Sequence, residues 1–363
     1  MKIARLHLRK IGASVALTLL ASGTAGAAQQ SKTTPAPPQS KPTLVAPQLK
    51  PDPAALLRKA EQLSDIRKAG SAFHLQAKVT LFGAGDQHVD GTLNLWWISA
   101  TKWREELRLP GYVRVRVGGD HKYWVQRNAP FEISIVERID ELVNIAARLL
   151  VRSDEHIGDP RRKTENGTAR DCVDITRNPT DSRALCFDAA SGALVLDERS
   201  QPGLPPIIQS IETSRIEYAD YQAWQGHLYP HAATAYSGTA EAIQVHVDLL
   251  GPVNITDLKA FDPPSGAQEW DVCDAPQPPV PLQRTQPAYP DSAKTNGEMG
   301  IVQVYVEIET DGSLSHMAVV TPPRAEFDKP TLDAMAKWRY KPAMCNGTPQ
   351  RMHTTITTAY GLP

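Results

Sequence analysis

The chain has 363 residues, with 39 Lys+Arg against 40 Asp+Glu and a formal net charge of -1. This balance removes the electrostatic argument for a nucleic-acid or anionic-membrane partner. The length suits two or three domains, and many of the 30 prolines cluster in two stretches, where they punctuate the chain.

Residues 1–27 read as an export signal. Lys2, Arg5, Arg9 and Lys10 precede a short apolar run, Ile11 to Gly23, diluted by Gly12, Ser14, Thr18 and Ser22. Ala25-Gly26-Ala27 has the small-x-small form of a cleavage site, so the mature chain is expected to start near Ala28. A membrane span needs about 20 apolar residues, and this run is shorter and more polar. No cysteine lies near the cut, which excludes a lipidated N-terminus there. The expected location is the periplasm. The alternative is a retained segment that anchors the protein at the periplasmic side of the inner membrane.

Residues 28–53 hold too much proline and too little apolar residue to fold, and read as a tether. A helix follows, with Leu56, Leu57, Ala60, Leu63 and Ile66 at helical spacing. Strand-like runs come next, at 73–82, 89–98, 102–109, 112–117 and 121–126. In "VRVRV" from Val113 the arginines face one side and the valines the other. A single helix is expected over 135–151. More strands run through 171–176, 183–187, 193–198, 211–224, 228–236 and 243–250. The sum is a curved, mostly antiparallel sheet over 54–262 with helices laid against it. Five tryptophans fall here, at 96, 97, 103, 124 and 224. Trp96 and Trp97 are neighbours in one strand and must face opposite sides. Core packing is the plain reading; Trp96, Trp97 and Trp124 are the candidates for a ligand cleft.

Tyr218-Ala219-Asp220-Tyr221 ends one long strand, Gly226 turns the chain, and Leu228-Tyr229-Pro230 begins the next. "LCFDAASGALV" repeats the strand, Gly turn, strand order. This segment resembles the periplasmic lipoprotein-carrier superfamily, LolA and its relatives. The resemblance implies an incomplete β-barrel, closed by helices, whose concave face holds a lipid or a lipoprotein's acyl chain. A filled core with no cavity is the alternative.

The four cysteines suit an oxidising compartment and allow three pairings. Cys172 and Cys186 bracket two strand-like runs around Asn178-Pro179, so a hairpin staple is the favoured pairing. It would close about 15 residues and stabilise by about 3 kcal/mol. Cys273 and Cys345 would then pair with each other. Four free buried thiols are the other reading.

Residues 263–286 form a second Pro-rich stretch, read as a hinge. Beyond it, Tyr289-Pro290 leads into a short helix stopped by Asn296-Gly297. Val302, Val304, Val306 and Ile308 alternate with polar residues in a strand, and Asp311-Gly312 is a hairpin turn. A return strand over 314–320 closes at Pro322-Pro323. A helix is expected over 327–340, and a last strand over 350–360.

The order and wording of this segment resemble the TonB C-terminal domain. The matching residues are Tyr289-Pro290, Ala293, Gly297, Gly300-Ile301-Val302, Asp311-Gly312, Leu332-Asp333, Ala336, Trp338 to Ala343, Gly347 and Pro349. The resemblance implies a small unit with a three-stranded antiparallel sheet and two helices. The whole chain is therefore expected to be α+β, a half-barrel domain followed by this one over 287–363. In the TonB family the last strand is an open edge that adds a peptide from an outer-membrane transporter. Carried over, the partner-binding residues are Gln350, Met352, His353, Thr354, Thr355, Ile356, Thr357 and Thr358. A covered edge, or one paired with a second copy, is the alternative. Cys345 departs from the family pattern and would tie the hinge beside this strand.

A force transducer of this family needs an N-terminal membrane helix. With the signal cleaved, the chain reads as an adaptor that docks on an outer-membrane transporter or another envelope protein. An inner-membrane-anchored TonB-type energy transducer is the alternative. The histidines are scattered, and no Ser-His-Asp word, HExxH, phosphate loop or paired-carboxylate motif stands out. No enzyme, cofactor or metal site is expected.

Overall fold

The computed structural model describes residues 52–361, apart from 84–86, 166, 204–210, 255–257, 274–276 and 322–323. The expected signal at 1–27, all but the last residues of the tether, and the Pro322-Pro323 stop lie outside the described residues.

Helix α1 (Pro53–Ser64) starts where the sequence pattern places it. The Asp52 side chain accepts from the Ala54 N–H, and Pro53 takes the first helical position, where its missing N–H costs nothing. β1 (Phe73–Phe82), β2 (His88–Ser99), β3 (Lys102–Leu109), β4 (Tyr112–Gly118) and β5 (Lys122–Arg127) follow as an antiparallel meander. The helical stretch after it is broken into α2 (Ser134–Val143) and α3 (Ile145–Arg148), where a single helix over 135–151 was expected. Asn144 is the break, with φ -101° and ψ 69°. Asparagine competes poorly inside helices because its side chain favours local backbone bonds.

The meander resumes through β6 (His156–Ile157), β7 (Arg161–Glu165), β8 (Thr168–Asn178), β9 (Asp181–Asp188), β10 (Leu194–Pro202), β11 (Ile211–Trp224), β12 (His227–Ser237) and β13 (Ala240–Pro252). β1 pairs with β13, so the two meanders join into one sheet. A late strand, β14 (Gln268–Asp271), returns to pair with β5. The order is β14-β5-β4-β3-β2-β1-β13-β12-β11-β10-β9-β8-β6, with β7 on β8, and the two ends do not pair. The sheet is antiparallel and unclosed, as the half-barrel reading expects.

Alternation along each strand decides the faces. Phe73, Leu75, Ala77 and Val79 of β1 share the concave side with Leu93, Leu107, Val245 and Val247, and all are buried. Val136, Ile139 and Leu142 of α2, Ile145 of α3, and Leu57 and Ala60 of α1 fill the same core. The arginines of β4 lie on this concave side too, where they meet carboxylates rather than water.

The C-terminal segment has its own core, built on Val302, Val304, Phe327, Met335, Trp338 and Tyr360. Its elements are β15 (Val280–Gln283), α4 (Asp291–Asn296), β16 (Gly300–Ile308), β17 (Leu314–Val319), α5 (Ala325–Met335), β18 (Arg339–Lys341), β19 (Ala343–Cys345), β20 (Thr348–Gln350) and β21 (Met352–Tyr360). The expected three-stranded antiparallel sheet is present, in the order β17-β16-β21. The second helix is shorter than expected. It ends at Met335, and Arg339–Lys341 is a strand that pairs with β15. Trp338 explains the early stop, because its indole is buried and donates to the Thr285 carbonyl at 2.8 Å. Gln350 also differs from expectation. It belongs to β20, opposite Ala343, not to the last strand.

Residues 263–286, expected as a hinge, carry β14 and β15 and so take part in two sheets. Cys273 is bonded to Cys345, and Cys172 to Cys186. The second pair sits opposite each other on β8 and β9. The described residues form one compact unit.

Candidate functional site

The hydrogen-bonding direction of β21 follows from β16. The Gln303 carbonyl accepts from the Val320 N–H at 2.8 Å, so the backbone groups of Gln303 point toward β17. In an antiparallel ladder this direction alternates residue by residue. Val302, Val304, Val306 and Ile308 therefore point at β21, opposite Thr358, Ile356, Thr354 and Met352. The register holds without a shift along the whole pair. It follows that His353, Thr355, Thr357 and Ala359 turn their N–H and C=O groups away from the sheet. Among the described residues none of the four makes a backbone bond outside the β16 ladder. The edge is open.

The side chains of β21 divide the other way. Ile356 and Tyr360 face the C-terminal core, where the Tyr360 hydroxyl meets Thr331 Oγ1 at 2.7 Å. His353 and Thr355 lie opposite Glu307 and Tyr305, on the face that meets the large sheet. Tyr305 and Glu307 are 0% and 1% exposed. Arg127 of β5 donates to the Tyr305 hydroxyl at 3.4 Å, and Phe131 packs on the same ring at 6.1 Å. Gln268 of β14 donates to both Glu307 carboxylate oxygens, at 3.1 and 3.2 Å. Arg351 donates to the Glu269 carbonyl at 2.7 Å and lies 4.3 Å from the centre of the Trp270 ring. His353 meets the same indole edge-on at 5.1 Å. Burial lowers the affinity of His353 for a proton, and Arg127 and Arg116 add to this against Glu132 and Glu307.

Beside this contact the concave side of β3 to β5 is ionic. Arg114 is fully buried. It donates to Glu105 at 2.7 Å and to Asp140 of α2 at 2.6 Å, and also to Glu132. Arg116 bonds both Glu105 oxygens, at 2.9 and 2.7 Å. Burial alone would raise the Glu105 carboxyl, but Arg116 and Arg114 override it and hold it at about 2. Glu137, nearby, is pushed up by burial and by the carboxylates of Glu132, Glu141 and Asp140.

A cleft of about 630 Å³ opens between the large sheet and the start of β21. Leu95, Trp97 and Trp103 form one wall and Gln350 to His353 the other, with Trp270 between them. A polar cleft of about 410 Å³ adjoins it, and shares Arg116, Tyr123, Asn144, Trp270 and His353 with it. Of the tryptophans proposed for a cleft, Trp97 lines this one, under the Arg67 guanidinium at 5.3 Å. Trp96 and Trp124 do not. Trp96 stacks on His74 at 4.8 Å on the opposite face, and Trp124 shares that outward parity. Trp103 and Trp270 line it and were not among the candidates. Trp103 was open to parity reasoning, since it faces Trp97 across the β2–β3 hairpin.

Between the helices and β1 to β3 lies a small space of about 20 Å³, bounded by Phe73, Leu75, Leu93, Ile145 and Tyr229. Glu307, Glu309 and His316 bring ligand atoms within 4.8 Å of one another, but Glu307 is already held by Gln268 and by Tyr305. Among the described residues no helix is long and apolar enough to cross a membrane.

Comparison with known proteins matches parts of the chain. A LolA superfamily protein from Nitrosomonas europaea covers 56% of this chain and 95% of its own, at 9% identity and a TM-score of 0.37. The solution structure of the Pseudomonas aeruginosa TonB C-terminal domain covers 23% of this chain and 86% of its own, at 30% identity and a TM-score of 0.21. TonB of Pseudomonas aeruginosa is 37% identical over 68 residues, which is 18% of this chain and 20% of that protein's length. Residues 285–362 match the family described as the Gram-negative bacterial TonB protein C-terminal. Over its last quarter, this chain is therefore similar to the TonB C-terminal family.

Proposed function

We propose that the chain is a binding and adaptor protein of the bacterial envelope, acting in the periplasm, whose C-terminal domain docks a partner by strand addition along β21. Residues 54–262 and 287–363 are the two domains in this reading. The observation that carries it is the outward direction of the backbone groups of His353, Thr355, Thr357 and Ala359 in a segment similar to TonB. Each offers a donor and an acceptor to an extended peptide. The partner is an outer-membrane transporter or another envelope protein, and the activity is binding rather than catalysis.

The large-sheet domain is read here as a second docking surface. The space of about 20 Å³ under its helices is scarcely more than the volume that admits one water, so an acyl chain would have to lie in the 630 Å³ cleft beside β21.

The test is Thr357→Pro. Its N–H points away from β16, so proline removes an outward donor and spares the ladder. Immobilised wild-type protein should retain an envelope protein from a detergent extract of outer membranes, and the variant should lose it with an unchanged circular dichroism spectrum. A folded variant that retains the same protein equally well would refute strand addition.

A further inference from the structure

The open edge of β21 does not end in solvent at its first residues. Met352 and His353 are the start of the strand and, with Gln350 and Arg351, form one wall of the 630 Å³ cleft. That volume is in the range of sites that enclose a ligand, about 300–1,000 Å³. A peptide paired along Thr355 to Ala359 and continued past Met352 would run directly into it.

The chemistry of the cleft is uneven in charge. Arg116 is shared between Glu105 and Asp140. Arg351 lies 3.7 Å from a Glu307 oxygen. Asp271 is on the rim, opposite Lys122. Arg67 differs from these. Its guanidinium meets Asn144 Oδ1 at 3.5 Å and the face of Trp97, and no carboxylate among the described residues. The opposite wall repeats the pattern, with Arg351 over Trp270. An indole floor under a guanidinium offers apolar surface and an anion partner together.

We propose that this cleft receives the end of the peptide that pairs with β21, and that the segment it takes is an apolar or aromatic residue next to an acidic one. The inference rests on the strand-addition reading and gives the partner its side-chain chemistry. Backbone pairing alone selects little among β-forming sequences, whereas the cleft discriminates by side chain.

The test uses a displayed library of random peptides, selected on the full chain. The expected binders combine an alternating β-forming stretch with an acidic and an apolar residue to one side of it. Their affinity should fall roughly thirtyfold in Trp97→Ala, as for an aromatic anchor in a contact centre. Arg67→Glu should invert the preference, selecting a basic residue where the wild type selects an acidic one, an outcome that misfolding cannot produce. Binders lost in Thr357→Pro but indifferent to Arg67→Glu would leave strand addition standing and overturn the cleft proposal. Binders that survive Thr357→Pro would overturn strand addition itself, and no enrichment on the wild type would overturn both. A brominated fatty acid that quenches the cleft indoles and displaces the peptides would make the cleft a lipid site, and so also overturn the proposal.

Discussion

Arg114 shows how much one side chain can decide. It is fully buried and is shared among Glu105, Glu132 and Asp140. Removing one partner of a buried ionic group is costly because the others are left uncompensated. Arg114→Met should lower the unfolding free energy by about 3–5 kcal/mol in urea titration. The loss should shrink in acid, where the stranded carboxylates take up protons. His353 gives a second pH effect. It sits between Trp270 and Tyr305, and burial lowers its pKa from the ordinary 6.5. A histidine that binds its proton less readily in the docked state favours docking above pH 6.5 and loses that contribution as the pH falls below it. Glu132 and Glu307 face it as well as Arg127 and Arg116, so these carboxylates moderate the effect. Exchange protection at the Tyr305 and Trp270 amides should fall between neutral and mildly acid pH, and His353→Gln should flatten the profile.

The elements divide into those whose partners are local and those whose partners are distant. Asp311-Gly312 was readable as a turn because its hairpin closes on itself. The structure adds why glycine stands there. Gly312 has φ 80°, and a Cβ would lie 1.7 Å from the Tyr340 carbonyl oxygen. Gly312→Ala should therefore destabilise the C-terminal domain by more than the about 1 kcal/mol of an ordinary Gly position, seen as a lower midpoint of thermal unfolding. The run Val302, Val304, Val306, Ile308 was legible for the same local reason, since alternation alone sets its buried face. β14 was not legible. Four residues, "QEWD", lie inside a Pro-rich stretch, and their partner Tyr123 is far away in sequence. β18 was read as the end of a helix, because Trp338 and Tyr340 carry no sign in the sequence that Thr285 and β15 await them. Of the candidate site, β21 was visible as a strand. The choice between Trp96 and Trp97 was not, because neighbouring residues alternate and only Phe73 and Trp103 decide which one turns inward.

At the scale of the molecule, two cores are joined through polar and aromatic contacts and one disulfide. The C-terminal sheet lays Tyr305 and Glu307 against β5 and β14, while Cys273–Cys345 ties the exit of β14 to β19. The chain between the cores is thus built into two sheets, and the orientation of β21 toward the cleft is set by the fold. One face of the C-terminal sheet is spent on this contact, and α5 covers the other. The outer strands β17 and β21 are left, and strand addition along β21 is the proposal made above.

Residue-resolved amide hydrogen exchange along β21 tests this most directly. The account predicts alternation in the free protein, with slow exchange at Thr354, Ile356 and Thr358 and fast exchange at Thr355, Thr357 and Ala359. Binding of a partner should then slow the fast set. Uniformly slow exchange in the free protein would mean that the edge is already paired, and would contradict the central claim.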